Sequence, residues 1–322
     1  MTTSVCETCG NSEGNRLHVA KEMMFGFRDE FEYVECSVCG SLQIANVPSD
    51  LSKYYPSNYY SFQAPTLTLG HPITSAVKKH LMRYLLGHPD SIVWPVAKRI
   101  AVTYSWLQGL GLGLDSRILD VGCGAGRLLL GLQRHGFTRL VGVDPFTPND
   151  FVFHHVRVFK QEISELDGQF DLIKLHHVLE HMPGHRVVFK ELFRLLAPGG
   201  NILIRTPVCG TFAWKHYGVN WVQLDPPRHL AIHSLRSLRL QAQHANLRVT
   251  RIVFDSTEFQ FRGSEQYLRN VPLTASQSAP LFPKRAIRRF ASRAAELNAI
   301  GEGDQAIFYL AKCDDRRSGD EG

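Results

Sequence analysis

Residues 117–126, R-I-L-D-V-G-C-G-A-G, together with residues 141–144, V-G-V-D, decide the fold of this 322-residue chain. The first stretch is an apolar run that stops at three glycines spaced two apart, Gly122, Gly124 and Gly126. Because glycine adopts backbone conformations that other residues avoid, this order predicts a strand, a glycine turn and a helix over residues 127–135. A second predicted strand, residues 139–143, ends at Asp144, about 20 residues beyond the loop, where a carboxylate binds ribose hydroxyls. The sequence therefore predicts a ligand with an adenosine-like ribose.

The spacing of the glycines distinguishes two classes of ligand. A dinucleotide fold has G-x-G-x-x-G, with a helix N-terminus directed at a pyrophosphate. Here the loop is D-x-G-x-G-x-G, and the carboxylate of Asp120 directly before it repels a pyrophosphate but suits the cationic S-adenosylmethionine (SAM). The two stretches resemble motifs I and II of the class I SAM-dependent methyltransferases. This resemblance implies an α/β, Rossmann-like, doubly wound seven-stranded sheet; the alternative is a glycine-rich turn in another α/β protein.

The resemblance extends over residues 117–206. It includes F-D-L-I-K-L at residues 170–175, V-L-E-H at residues 178–181 and L-A-P-G-G at residues 196–200. It implies that the loop and Asp120 hold the methionine end of SAM, Asp144 the ribose, and Glu162 and Ile163 the adenine. The full set of predicted cofactor-binding residues is Asp120, Gly122, Cys123, Gly124, Gly126, Asp144, Pro145, Glu162, Ile163 and His176.

Four of the seven cysteines form two C-x-x-C pairs, each followed by glycine and separated by 26 residues: Cys6, Cys9, Cys36 and Cys39. Four thiolates suit a tetrahedral zinc site, and such a site leaves no position for a water molecule, so the metal would be structural. Two disulfides or a redox pair are the alternatives. The pattern looks like a zinc ribbon, and similar modules followed by Y-Y-P-like segments precede methyltransferase domains in many bacterial enzymes that modify sugars and polysaccharides. The other cysteines are predicted to be small buried residues.

Length and composition set the domain organisation. The chain exceeds the usual size of one domain, and we predict a zinc ribbon over residues 1–45, a linker and helical cap over residues 46–105, a methyltransferase domain over residues 106–313 and a disordered tail over residues 314–322. No apolar stretch is long enough for a membrane span and no leader pattern is present, so a soluble, cytoplasmic protein is expected.

Two helices with basic residues raise the question of anionic partners. Residues 74–86 and 92–107 are predicted helices, and the first is basic and amphipathic, which makes peripheral membrane contact an alternative to a solvated face. A further helix over residues 284–296 is rich in arginine. The net charge of +6 is modest and no RNA-binding module is present, so nucleic acid is not an expected partner.

Residues 177–181, H-V-L-E-H, follow the predicted fourth strand and supply candidates for catalysis. The spacing also matches a zinc-peptidase signature, but that motif belongs in a long helix. We predict that His181 is a general base, because its pKa is near neutral, with Glu180 beside it. Alternatively His177, Glu180 and His181 hold Mg²⁺, as the similarly placed E-x-x-E-H of small-RNA 2′-O-methyltransferases does, or the residues only cap a helix.

The long segment over residues 207–234 contains aromatic residues and the motif W-x-x-x-x-P-P-x-H-L. In the family this is an acceptor-side loop, which makes His229 the second catalytic candidate and gives Arg228 either a phosphate or a structural role. The aromatic residues argue against disorder, because such rings bury well and also stack on sugar or ring faces. The resemblance implies methylation of a hydroxyl of a sugar, nucleotide-sugar or glycan. A quinone or other lipid-like acceptor and a non-catalytic SAM-binding module are the alternatives.

Overall fold

A computed structural model describes residues 5–55, 72–87, 103–277 and 281–313. The strands are β1 (Arg16–Lys21), β2 (Glu30–Glu35), β3 (Leu42–Ile44), β4 (Arg117–Val121), β5 (Arg139–Val143), β6 (Phe151–Phe153), β7 (Val156–Phe159), β8 (Phe170–His176), β9 (Leu196–Pro207), β10 (Ala231–Ile232), β11 (Leu247–Phe254) and β12 (Gln305–Lys312). The helices are α1 (Pro72–Leu85), α2 (Arg127–Arg134), α3 (His185–Leu195), α4 (Phe212–Tyr217), α5 (Leu235–His244), α6 (Phe259–Leu268) and α7 (Lys284–Ala299).

The described residues divide into two compact units. We call residues 72–175 and 191–203 the loop unit, because they contain the glycine loop. Residues 5–55, 176–190 and 204–313 form the ribbon unit, which contains the four paired cysteines. These units cut across the domain boundaries expected from the sequence, and those boundaries stay predictions.

The loop unit is built on a mostly parallel sheet in the order β9-β8-β4-β5-β7-β6. Strand β4 pairs in parallel with β5 and β8, and β5 pairs in parallel with β7. Parallel strands are covered on both faces and are therefore nearly continuous in apolar residues. Ile118 and Leu119 of β4 and Leu172 and Ile173 of β8 are fully buried accordingly. This arrangement confirms the predicted α/β class with a mainly parallel sheet.

The predicted number of seven strands is wrong for the described residues. Strands β4 to β9, β11 and β12 make eight, and the additional strand is β6, which pairs antiparallel with β7. Residues 151–153, F-V-F, are short and follow a loop rich in proline and aspartate. Only their pairing with β7 identifies them as a strand, so the chain pattern alone did not reveal it.

The ribbon unit contains an antiparallel sheet in the order β1-β2-β3-β10. Strand β10 comes from residues far along the chain and pairs with β3 through Ala231 opposite Gln43. A second antiparallel pair, β11 and β12, lies beside β9, whose last residues belong to this unit. The core of the unit includes Tyr33, Leu42, Trp214, Trp221 and Leu297. Residues 5–45 therefore share their sheet and core with later segments.

Two helices agree closely with the sequence. Helix α1 was predicted over residues 74–86 and buries Leu81, Met82 and Leu85 on one face. The arginine-rich helix α7 extends a few residues beyond its predicted end. Within the described ranges, every helix is too short or too polar to cross a membrane. The predicted helix over residues 92–107 falls mostly outside the described residues. Residues 56–65, which continue the Y-Y-P segment, and the tail over residues 314–322 also lie outside them.

Candidate functional site

The glycine loop of the loop unit is held by Asp144. The φ angles of Gly122, Gly124 and Gly126 are 67°, 51° and 71°, in the left-handed region that favours glycine. Gly124 donates its backbone N–H to Oδ2 of Asp144 at 2.8 Å, and Phe146 donates to Oδ1 at 2.9 Å. The carboxylate at the end of β5 is therefore fixed against the turn that follows β4.

Gly126 of the loop and Gly142 of β5 allow close packing around this turn. A Cβ at Gly126 would lie 3.1 Å from both Phe151 and Val158. A Cβ at Gly142 would lie 2.5 Å from Sγ of Cys123 and 2.8 Å from Leu129. Only Gly126 was among the predicted site residues; the V-G-V-D pattern contained Gly142, but nothing in the sequence showed that the loop packs against it.

Asp120 has a partner that the sequence analysis missed. Its carboxylate is buried, and Nζ of Lys174 on the neighbouring strand β8 lies 3.4 Å from Oδ1. Burial raises the pKa of Asp120, and the ammonium of Lys174 lowers it only in part. A single lysine in the apolar strand F-D-L-I-K-L was the available signal, since a buried lysine needs a carboxylate partner. Asp120 thus already faces one cation.

The other predicted contacts to the cofactor differ in exposure. Glu162 is exposed at the start of a 3₁₀ turn and donates its N–H to the carboxylate of Glu165 at 2.8 Å. Ile163 is buried beneath that turn, and Pro145 and Cys123 are half-buried. In the ribbon unit, His176 ends β8 and is exposed; its Nε2 accepts from Nη1 of Arg205 at 2.5 Å. These roles toward SAM stay predictions.

Glu180 is a fully buried carboxylate in the ribbon unit. His177 donates from Nδ1 to Oε1 at 3.0 Å, and the hydroxyl of Thr206 donates to Oε2 at 3.0 Å. Burial raises the pKa of this carboxyl, but the hydrogen bond from His177 and the nearby histidines outweigh it and hold the pKa below its usual range. Glu180 is therefore ionised in the folded protein.

His181 and His229 lie beside Glu180, and we call these three residues the Glu-His-His cluster. The ligating atoms of the three side chains all lie within 4.8 Å of one another. Nδ1 of His181 donates to the carbonyl of Arg228 at 2.9 Å, and Nδ1 of His229 donates to the carbonyl of Gln223 at 2.7 Å. Because a carbonyl only accepts, Nε2 of each neutral ring carries the lone pair.

The two rings of the cluster meet edge to face, with centroids 4.6 Å apart. Burial, and then the neighbouring His181, lower the pKa of His229 to about 4. His229 is therefore neutral at neutral pH and able to accept a proton or bind a metal. The structure brings both predicted catalytic histidines together with Glu180, whereas His177 contacts Glu180 as a hydrogen-bond donor.

The aromatic segment over residues 207–234 is more regular than expected. It contains helix α4 and two 3₁₀ turns, and Trp214, Tyr217 and Trp221 are buried. Trp214 donates from Nε1 to Glu35 at 3.1 Å, and Trp221 donates to Asp304 at 3.0 Å. These three rings lie in the core, which agrees with the prediction that the segment is ordered. Their burial depends on partners distant in the sequence.

Of the two roles considered for Arg228, phosphate binding and structural, the structure supports the structural one. Its side chain is fully buried, and Nη2 lies 3.0 Å from Glu22 and 2.6 Å from Asp225. Glu22 also accepts the backbone N–H groups of Phe25, Gly26 and Phe27. With both carboxylates engaged on a buried guanidinium, Arg228 does not present its charge to a substrate phosphate.

Asp304 makes the stability of the ribbon unit depend on pH. Burial raises the pKa of its carboxyl to about 6 from an ordinary 3.8. Because the folded pKa is the higher one, this group's contribution to the free energy of unfolding falls as the pH rises through that window. We expect the free energy of unfolding of Asp304→Asn, relative to that of wild type, to increase by about 2 kcal/mol from about pH 4 to about pH 7. Urea unfolding of both proteins at both pH values measures this change. The same difference between variant and wild type at the two pH values would contradict the prediction.

The four cysteines of the ribbon unit form a compact group. Sγ of Cys6 lies 3.5 Å from that of Cys39, and Sγ of Cys9 lies 3.5 Å from that of Cys36. Each pair begins a similar turn, in which Gly10 donates to the carbonyl of Cys6 and Gly40 to that of Cys36. The sulfurs are too far apart for disulfides, which need about 2.05 Å. Of the isolated cysteines, Cys209 is buried as expected, but Cys123 is half-buried and Cys313 is exposed.

Comparison with known sequences gives one matching family model and several relatives. Residues 97–252 match a family model described as a methyltransferase domain. The ubiquinone biosynthesis O-methyltransferase of Xanthomonas oryzae pv. oryzae (strain PXO99A) is 29% identical over 131 residues, 35% of this chain and 53% of the relative. That of Paracidovorax citrulli (strain AAC00-1) is 30% identical over 115 residues, 31% of this chain and 48% of the relative. The chain spans about half the length of these curated relatives.

Solved structures with a similar fold include a SAM dependent methyltransferase from Archaeoglobus fulgidus, 19% identical, with a TM-score of 0.41 over 67% of this chain and 92% of the other. The cyclopropane synthase MmaA2 from Mycobacterium tuberculosis is 16% identical, with a TM-score of 0.42 over 77% of this chain and 99% of the other.

Proposed function

We propose that this chain, which carries a methyltransferase domain in residues 97–252, is an enzyme that transfers a methyl group from SAM to a hydroxyl of a small molecule. The observation that carries the proposal is the glycine loop fixed by Asp144. Three left-handed glycines place no side chain on the turn, so a ligand can approach its backbone closely, and the Asp144 carboxylate lies directly on that turn. This arrangement fits a ligand with a ribose and a cationic end.

Bound SAM supplies an activated methyl group on a sulfonium, and the chain's own residues align it. Asp144 binds the ribose hydroxyls, and the turn over residues 122–126 lies against the methionine end, while the amides of Gly122, Gly124 and Gly126 bond within the chain. In the transfer, the acceptor oxygen forms a bond to the methyl carbon while the sulfur–methyl bond breaks, and the hydroxyl proton must leave. The retained Asp144 and loop glycines argue against a non-catalytic SAM-binding module.

We assign the removal of this proton to the Glu-His-His cluster. His181 and His229 each hold Nδ1–H against a backbone carbonyl, which leaves Nε2 as the basic atom. Glu180, ionised and buried, stabilises positive charge that develops on the neighbouring rings.

A quinone-type or other lipid-like acceptor is better supported than the sugar acceptor suggested by the sequence resemblance. The relatives that match this chain are named ubiquinone biosynthesis O-methyltransferases. Trp214, Tyr217 and Trp221 are also buried, so these three rings do not offer a face for stacking on a sugar. We therefore place the acceptor among hydroxylated rings with an apolar tail.

We further propose that the four paired cysteines hold a structural zinc ion. A tetrahedral ion with Zn–S bonds of about 2.3 Å places its sulfurs about 3.8 Å apart. The two measured separations of 3.5 Å are close to that value. Four thiolates leave no open coordination position, so the ion would hold the turns of the ribbon and take no part in the transfer.

Titration of SAM into the protein tests the proposed function. We expect Asp144→Ala to weaken SAM binding about 100-fold, because two hydrogen bonds to a charged group are worth about 3 kcal/mol together. The matched control is Asp150→Ala in the same unit, where the carboxylate also accepts a backbone N–H, from Lys160 at 2.7 Å. Equal affinities of the Asp144→Ala and wild-type proteins would contradict the site.

The same wild-type protein is then incubated with SAM and either a prenylated hydroxyquinol or a nucleotide-sugar. Mass spectrometry detects replacement of a hydroxyl hydrogen by a methyl group. We expect product from the hydroxyquinol and none in the Asp144→Ala protein. Product from the nucleotide-sugar alone would retain the enzyme class and overturn the acceptor assignment.

A further inference from the structure

We infer that the Glu-His-His cluster is a binding site for a divalent transition-metal ion, which receives two imidazole nitrogens and one carboxylate from Glu180, His181 and His229. The binding site stands on geometry alone. Its role, polarising the acceptor hydroxyl, rests on the proposed function.

The hydrogen bonds of the two imidazoles favour metal binding. Metal-ligating histidines usually donate their other ring N–H to a carbonyl or carboxylate, which fixes the tautomer and the ring orientation. His181 and His229 both do so, each toward a backbone carbonyl at less than 3 Å. The carbonyl of Arg228 is itself held in place, because the side chain of that residue is buried between Glu22 and Asp225. In each ring Nε2 therefore carries the lone pair that could bind a metal ion.

Glu180 is oriented in the same manner. Its two oxygens each accept one hydrogen bond, from His177 and from Thr206. A carboxylate offers about four lone-pair positions, so both oxygens retain capacity for an ion. The backbone carbonyl of Glu180 also accepts from Leu230 at 2.7 Å, which ties the segment carrying His229 to this residue. His177 thus supports the carboxylate rather than serving as a ligand.

The distances and charges suit a bound cation. Three atoms within 4.8 Å of one another need to approach to about 3–4 Å to share one ion with bonds of about 2.1 Å. Of the three side chains, His181 is half-buried, whereas Glu180 and His229 are buried. The buried Glu22 and the half-buried Asp225 both pair with the guanidinium of Arg228, and the buried carboxylate of Glu180 adds a further negative charge beside the two histidines.

The donor set selects a transition metal over Mg²⁺. Two imidazoles and one carboxylate are the ligands of catalytic zinc sites and of the facial triad that binds iron, whereas Mg²⁺ prefers oxygen ligands. Three protein ligands leave coordination positions open. With the ion bound, the Nε2 atoms act as ligands and not as bases, so the cluster would promote loss of the proton through the ion: an acceptor hydroxyl bound there would be acidified and lose its proton to water. The proposed site thus differs from the alternative of Mg²⁺ at His177, Glu180 and His181: the ion is a transition metal, and His229 takes the place of His177 as a ligand.

Cobalt binding to the full chain tests the inference. The protein is purified with one equivalent of Zn²⁺ to occupy the cysteines and is then titrated with Co²⁺ by calorimetry and absorption spectroscopy. We expect one further ion to bind without the intense near-ultraviolet band of a cobalt–thiolate bond. Glu180→Gln and His229→Gln should each weaken this binding at least about 10-fold.

The matched control is His233→Gln, which removes a buried imidazole of the same unit outside the cluster and should bind Co²⁺ like wild type. Thermal melting and SAM titration of every variant establish that each is folded. Absence of Co²⁺ binding beyond the cysteines in wild type, or equal binding in all variants, overturns the metal site. Intact SAM binding in that case leaves the proposed function standing.

Discussion

Cys36→Ser protein is expected to contain no zinc and to lose the fold of the sheet formed by β1, β2 and β3. Structural zinc sites contribute about 10–16 kcal/mol of apparent binding free energy. Whole domains have only about 5–15 kcal/mol of stability, so the loss of one ligand is decisive. Metal content by mass spectrometry and thermal unfolding followed by Trp214 fluorescence measure both effects, because Trp214 donates to Glu35 at the end of β2.

The control for this experiment is Cys313→Ser, which removes an exposed cysteine and should leave zinc content and melting temperature unchanged. A chelator should destabilise the wild-type protein in the same way as Cys36→Ser. Sensitivity to reductant but not to chelator would point to disulfides instead. Unchanged melting of the Cys36→Ser protein would refute a structural role for the ion.

His229→Gln is expected to lower kcat for methyl transfer by about 10²–10⁴-fold, the usual contribution of a group that removes a proton. The KM for SAM should change little, because His229 lies in the ribbon unit and the predicted ribose and loop contacts lie in the loop unit. The experiment measures initial rates against SAM concentration with the acceptor that yields product in the mass-spectrometric assay. The double variant with His181→Gln removes both Nε2 atoms of the cluster.

The pH profile adds a readout that a structural defect would not change. In the variant, the rate should increase with pH as the acceptor hydroxyl ionises without help, so the loss should shrink in alkaline solution. His233→Gln again serves as the buried-imidazole control and should retain the wild-type profile. Full activity in the double variant would remove both histidines from the mechanism.

Local signals in the sequence predicted the parallel part of the fold. Strands β4 and β5 occur at residues 117–121 and 139–143, as the apolar runs and glycine spacing indicated. Their prediction succeeded because adjacent residues determine a strand that ends at a glycine turn. The cysteine spacing was equally local, and it correctly indicated that four sulfurs gather in one place.

Features that depend on distant partners were not predictable in this way. Lys174 meets Asp120 because the sheet register sets the two strands side by side, which no single segment encodes. The burial of Trp221 was not evident from the sequence because its partner Asp304 lies 83 positions away. The role of His177 as a donor to Glu180 likewise required its left-handed backbone, with φ of 53°.

The position of β10 in the ribbon sheet affects how the protein is made. The edge of β3 is complete only when Ala231 and Ile232 pair with it, and the carboxylate of Glu22 has its cation only when Arg228 has emerged. Both partners leave the ribosome about 190 residues after β3, which corresponds to roughly 10–40 s at ordinary rates of translation. During that interval the edge of β3 has no partner strand and the carboxylate of Glu22 lacks the guanidinium of Arg228. Early metal capture by the cysteine thiolates would protect the nascent chain until the rest arrives.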